Sequence, residues 1–195
     1  MPSRHERKKY ISGGVYHVYS RGVNKGAIFH SASDYFYFTE CTMLYLIPRG
    51  DLMNYLLSIS YSKKRIYSLI SKAESLKNYA EDISLYAYCL MPNHFHFLLQ
   101  QNTDNAMPKF IKSLLTRYSM YYSMKYQYVG HLFQGRYKAI GVKSDAYFQI
   151  VREYIHNNPN NIQKYRNKPY EYPWSSAYDY INPYSTRPWI KTARS

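Results

Sequence analysis

The chain has 195 residues, with 26 Lys and Arg against 12 Asp and Glu, for a formal net charge of +14. Hydrophobic residues make up 46% and aromatic residues 18% of it, with 26 tyrosines, which rules out a disordered basic tail and fits a single domain with extensions. No apolar run approaches the ~18 residues of a membrane span, no apolar segment follows the basic opening residues as a secretory signal would, and Cys41 and Cys89 alone build neither a disulfide framework nor a zinc site.

The expectation is a cytoplasmic, strongly basic globular protein whose field attracts polyanions. Basic residues alternate with aromatics, as in Arg117-Tyr118, Arg136-Tyr137-Lys138 and Lys164-Tyr165-Arg166. That pattern suits nucleic acid, because cations meet phosphates while rings stack on bases. An anionic membrane surface fits less well, because no basic helix with a clean apolar face stands out.

In chain order, residues 1–12 read as a flexible basic arm. The stretch from Val15 to Ser20 is β-branched and aromatic, a strand by composition. Arg21 to Gly26 reads as a loop. Ser33 is the expected cap of a helix reaching about Leu46, which Pro48 to Asp51 breaks. Residues 52–80 show helical spacing at Ile66, Leu69, Ile70 and Leu76. Two apolar runs, Ile83–Met91 and His94–Gln100, flank Pro92-Asn93 and read as antiparallel strands with a tight connection. A long helix follows from Asp104 or Asn105 to about Gln127, carrying Phe110, Leu114, Tyr118 and Tyr122 at helical spacing. Gly130 ends it, and Tyr137–Val142 reads as a strand. Ser144-Asp145 caps a last helix that Pro159 terminates. The order predicts an α+β fold: a largely antiparallel, ferredoxin-like sheet with helices packed on one face, and basic N- and C-terminal extensions.

The chemistry concentrates in two places. On a strand, side chains alternate faces, so His94 and His96 project together while Phe95 and Phe97 pack behind them. Two imidazoles at that spacing can share a metal ion but leave most of its coordination sphere open. In the last helix Tyr154 and Asn158 stand four residues apart and share a face; an Asn carbonyl oxygen could complete a mixed site, with His156 as a competing ligand. Tyr154 also reads as core, in a stripe with Tyr147, Ile150, Val151 and Ile155. Trp174 reads as a packing anchor. His17 and His131 have no position that spacing alone can assign.

Three ordered blocks carry a resemblance. Tyr88–Leu99 (YCLMPNHFHFLL), Gly130–Lys138 (GHLFQGRYK) and Tyr154–Pro159 (YIHNNP), with Ser20-Arg21-Gly22 near the start and Tyr172 to Ser176 near the end, resemble the IS200-like, single-tyrosine transposases, closest to the REP-associated branch. The likeness covers about Val15 to Tyr178, within a domain read as 13–180, with a departure at about 52–80 that looks like an insertion and a basic tail at 181–195. It implies a His-hydrophobic-His nuclease fold with His94, His96 and Asn158 as metal ligands, Tyr154 as nucleophile and Mg²⁺ or Mn²⁺ as cofactor. It further implies action on single-stranded or hairpin DNA by a 5′-phosphotyrosine intermediate, nicking and rejoining strands, in a nucleoid-associated setting. Relatives include monomers and helix-exchanging dimers, so a homodimer is compatible with it. Arg21, Arg117, Arg136 and Lys138 are the expected phosphate contacts. The alternative is a hairpin DNA- or RNA-binding module without catalysis.

Overall fold

A computed structural model of the protein describes residues 10–59, 61–182 and 187–193. The basic arm expected at 1–12 falls largely outside them, as do residues 183–186 and 194–195 of the expected tail. Strands β1 (Val15–Arg21), β2 (Ile83–Met91), β3 (His94–Gln101) and β4 (Lys138–Val142) form one sheet in the order β2-β3-β1-β4, every neighbouring pair antiparallel. Helices α1 (Ala32–Leu46), α2 (Arg49–Ser58) and α3 (Lys63–Glu74) lie between β1 and β2 in the chain; α4 (Ala106–Tyr126) lies between β3 and β4, and α5 (Asp145–Asn157) follows β4. This is the expected ferredoxin-like α+β arrangement.

Strand alternation builds two apolar layers. Tyr16 and Val18 of β1, Leu85, Tyr88 and Leu90 of β2, and Phe95, Phe97 and Leu99 of β3 face α1 and α4, packing on Phe38, Phe110, Leu114 and Tyr118. The residues expected as an insertion form α2 and α3, whose Leu52, Leu56, Ile66 and Leu69 extend this core. The expectation that helices cover one face is met by α1 and α4; α5 is the exception. Its Phe148, Val151 and Ile155 pack on the opposite face, against Val15, Tyr86, Ala87, Cys89, Leu98 and Val142. A short strand-to-helix connection after an edge strand lets the chain turn onto either face, so element order alone does not choose.

The α1 cap lies at Ser31, two residues before the expected Ser33. Asp34 decides this: its carboxylate accepts the backbone N–H groups of His30 and Ser31 at 2.8 and 2.9 Å. It also accepts from Tyr126 at 2.8 Å and from Lys125 at 2.5 Å, tying α1 to α4. Burial alone would raise the Asp34 pKa, but these hydrogen bonds hold the carboxyl well below the usual carboxylate range.

The C-terminal segment covers the β2 edge, which would otherwise offer unpaired backbone groups. Leu90 donates to the Trp174 carbonyl at 2.9 Å, Ser176 to that of Tyr88 at 3.0 Å, and Lys191 to that of Leu85 at 2.9 Å. Trp174 stacks on Tyr35 at 4.8 Å, the packing role expected of it. Among the described residues no helix is long and apolar enough to cross a membrane.

His156 fastens α5 to this segment through Ser176 Oγ at 2.9 Å. Burial pushes its imidazole down to about 4 from 6.5. The unfolded chain therefore takes up a proton near pH 6.5 that the folded chain refuses until about pH 4, so stability falls as pH falls through that window. The loss attributable to this one group is ~3 kcal/mol at most. Urea unfolding at pH 7 and pH 4.5 should show this loss in the wild-type protein and a smaller one in His156→Gln.

Candidate active site

The site begins with the register of three strands. Tyr19 of β1 stands opposite His96 of β3 on one side and Lys138 of β4 on the other, and Arg21 stands opposite His94. With period-two alternation, His17, Tyr19, Arg21, His94, His96 and Lys138 all project on the face that α5 covers in part. All of them but His17 border an open cleft of about 430 Å³ lined also by Asn93, Gln134, Arg136 and Tyr154.

Each imidazole has a defined setting. Asn93 Nδ2 donates to the Lys25 carbonyl at 3.0 Å, which turns its Oδ1 toward His94 Nδ1, 2.6 Å away. An amide oxygen only accepts, so His94 carries its hydrogen on Nδ1 and keeps a lone pair on Nε2. His96 is 5% exposed and its Nδ1 lies 2.8 Å from His17 Nε2. Burial lowers the pKa of all three rings: His17 to about 4, His96 further, with His17 and His94 adding repulsion, and His94 despite the opposing influence of Asn158. They are therefore neutral near pH 7, the form that ligates cations.

Tyr154 lies on α5, which Ser144 opens by accepting the Tyr147 N–H at 3.2 Å. Ile155 and Val151 turn inward, so the next positions around the helix face out. Tyr154 is 54% exposed, not part of the core stripe with Val151 and Ile155. Its ring stands edge-on to His96 at 5.6 Å and to His17 at 5.8 Å between centroids. The phenol and the paired imidazoles of one chain are neighbours.

Asn158 follows at the end of α5. Its Nδ2 donates to the Tyr154 carbonyl at 2.8 Å, and the same side chain lies close enough to His94 to oppose the lowering of that ring's pKa. With the nitrogen engaged, Oδ1 is the atom that can accept or ligate. His156, the competing candidate, turns away to Ser176. Among the described residues no group of three or more His, Cys, Asp or Glu is placed to hold a metal ion; the donors that could serve a cation here are two neutral imidazoles and an amide oxygen, a hard and borderline mixture that suits a divalent cation without selecting one.

Of the residues expected to meet phosphate, Arg21, Arg136 and Lys138 gather at the cleft. A loop joins them: Gln134 donates its backbone N–H to the Arg21 carbonyl at 2.7 Å, and Gly22 pairs with Phe133. Gly22 itself allows no side chain, since a Cβ would collide with the Gly26 carbonyl oxygen. Arg117 does not join this cluster. It lies on α4 in the layer beyond the sheet, and its Nε donates to Tyr45 Oη at 3.1 Å. A basic-aromatic pair in sequence says nothing of which face of the sheet it occupies.

Spacing did not single out His17, Tyr19, Asn93 and Gln134. The signal that could have found the first two was present: His17 and Tyr19 alternate on the strand expected over Val15–Ser20, and Arg21, read as the first loop residue, continues that alternation because β1 runs one residue further.

A solved REP-associated tyrosine transposase bound to a REP hairpin superposes with a TM-score of 0.51 over 98% of this chain and 93% of that one, at 13% sequence identity, a likeness that speaks for the fold. Compared with curated proteins, the chain finds no match. The family described as "Transposase IS200 like" matches residues 58–158, which carry both histidines, Tyr154 and Asn158. That match spans more than half of the 195 residues, and the chain belongs to the IS200-like transposase family.

Proposed function

We propose that the protein is a metal-dependent transesterase that nicks single-stranded DNA next to hairpins and rejoins it, with Tyr154 as nucleophile, as a transposase or a domesticated relative of one. The observation that carries this reading is the Tyr154 ring standing 5.6 Å from that of His96 beside an open basic cleft within one chain. The neighbour bound to a REP hairpin supports DNA as the partner.

In this reading His94, His96 and Asn158 hold Mg²⁺ or Mn²⁺. The bound cation would polarise the scissile phosphate and offset the charge that develops on it. The chain's own groups do the rest. Arg21, Arg136 and Lys138 seat the backbone phosphates through an exposed, salt-sensitive surface. Tyr154 gives up its phenolic proton and its Oη attacks phosphorus; the Oη–P bond forms, the P–O3′ bond breaks, and the departing 3′ oxygen takes a proton. The enzyme is left joined to the 5′ phosphate. A second 3′-OH attacking that phosphorus releases Tyr154 and joins two strands, with no external energy source because one phosphodiester replaces another.

Incubation with hairpin-bearing single-stranded DNA and Mn²⁺ should give a denaturant-stable protein–DNA adduct that Tyr154→Phe abolishes while retaining DNA binding. An adduct persisting in Tyr154→Phe would move the nucleophile elsewhere. Binding with no adduct from the wild-type chain would favour the non-catalytic hairpin-binding module, and free cleaved ends without adduct a hydrolase.

The tyrosine serves its own chain's site in this proposal. Mixing Tyr154→Phe with His94→Ala/His96→Ala protein should then restore no adduct; restoration would require exchange between subunits and a dimer.

The phosphate assignment has its own check. Replacing Arg21, Arg136 and Lys138 together by alanine should flatten the dependence of log K on log salt by about 0.7 for each phosphate no longer neutralised. Arg117→Ala should leave that slope unchanged.

A further inference from the structure

His17 is 9% exposed and projects from β1 on the sheet face against which α5 packs. It stands opposite Leu98 in the β1–β3 pairing, with His96 its diagonal neighbour one step along the same face. Diagonal neighbours on a sheet face are within reach of ring-bearing side chains, and here the reach ends in a hydrogen bond: His17 Nε2 and His96 Nδ1 are 2.8 Å apart. The His17 ring also meets that of Tyr154 edge-on at 5.8 Å.

One hydrogen is shared between those two nitrogens, and where it sits decides whether His96 can ligate from its other nitrogen. A hydrogen on His96 Nδ1 leaves Nε2 as a lone pair; a hydrogen on His17 Nε2 forces His96 to carry its own on Nε2. The neighbouring ring shows which form the site is built for, because the Asn93 amide holds His94 with its hydrogen on Nδ1. Only the matching form of His96 gives two lone pairs on one face of β3.

We propose that His17 is a positioning residue: its Nε2 accepts the Nδ1 hydrogen of His96 and fixes both the tautomer and the ring orientation that His96 needs to hold the cation. His17 thus does for His96 what Asn93 does for His94, and the cation site is preorganised by a pair of acceptors behind its imidazoles. This inference rests on the reading of the cleft as a divalent-cation site.

Long-range proton–nitrogen correlation spectra of the ¹⁵N-labelled, metal-free protein, with His96 identified by difference against His96→Gln, read the tautomer directly. His96 should appear in the Nδ1–H form, and finding it in the Nε2–H form overturns the proposal with no variant needed. Mn²⁺ binding followed by electron paramagnetic resonance supplies the second reading. His17→Phe, which keeps a ring but loses the acceptor, should weaken binding ~10–100-fold, and His17→Gln, which restores an acceptor, should recover much of it. Wild-type affinity in a folded His17→Phe protein overturns the positioning role while leaving the cation reading intact. A wild-type chain that does not bind Mn²⁺ overturns the cation reading, and this proposal with it.

Discussion

Everything at the site depends on the two-residue alternation of β3. Phe95 and Phe97 are wholly buried in the layer under α1 and α4, and that burial fixes which way the strand faces. A slip of one residue would take two phenylalanines out of the apolar core and put two imidazoles in their place, each change costing kilocalories. The hydrophobic core thus presents His94 and His96 as a pair on the opposite face. The antiparallel register with β1 then places Arg21 and Tyr19 directly across from them.

The second requirement is a helix on that face, and α5 supplies it. Its inward side chains, Phe148, Val151 and Ile155, anchor it on the sheet, while Ser176 and His156 bind its end to the C-terminal segment that covers β2. The exposed side of the helix then brings Tyr154 beside the imidazoles, and Asn158 follows one turn later, its amide bonded back to the Tyr154 carbonyl. Packing on one side of α5 and the exposure of Tyr154 on the other are two consequences of one amphipathic helix. The segment after it serves the same end, since the Arg187 guanidinium paired with Asp179 and lying over Tyr88 holds the C-terminal strap in place.

Much of this was legible in the sequence, for physical reasons that can be named. Alternation exposed the His94–His96 pair, Ser144 marked the start of α5, and the four-residue spacing of Tyr154 and Asn158 placed them on one side of a helix. What periodicity could not supply was the third dimension. His17 is one histidine in a tyrosine-rich strand until the β1–β3 register makes it a neighbour of His96. Arg117 resembles Arg136 locally, yet the sheet separates them. The face chosen by α5 depends on a turn after an edge strand, where the local sequence is compatible with either side. Ser31 rather than Ser33 caps α1 because the Asp34 carboxylate, fixed by α4, reaches back to the backbone of His30 and Ser31. The bonds from Lys125 and Tyr126 that fix it span more than 90 residues of chain.

The central claim is that His94, His96 and Asn158 converge on one divalent cation beside Tyr154 of the same chain. Anomalous diffraction from crystals of the protein grown with Mn²⁺ tests it most directly. The account predicts a single strong peak within bonding distance of both imidazoles and the Asn158 amide oxygen, adjacent to the Tyr154 phenol of that protomer. A peak held by other residues, or a Tyr154 that reaches only the cation of a neighbouring protomer, would contradict it.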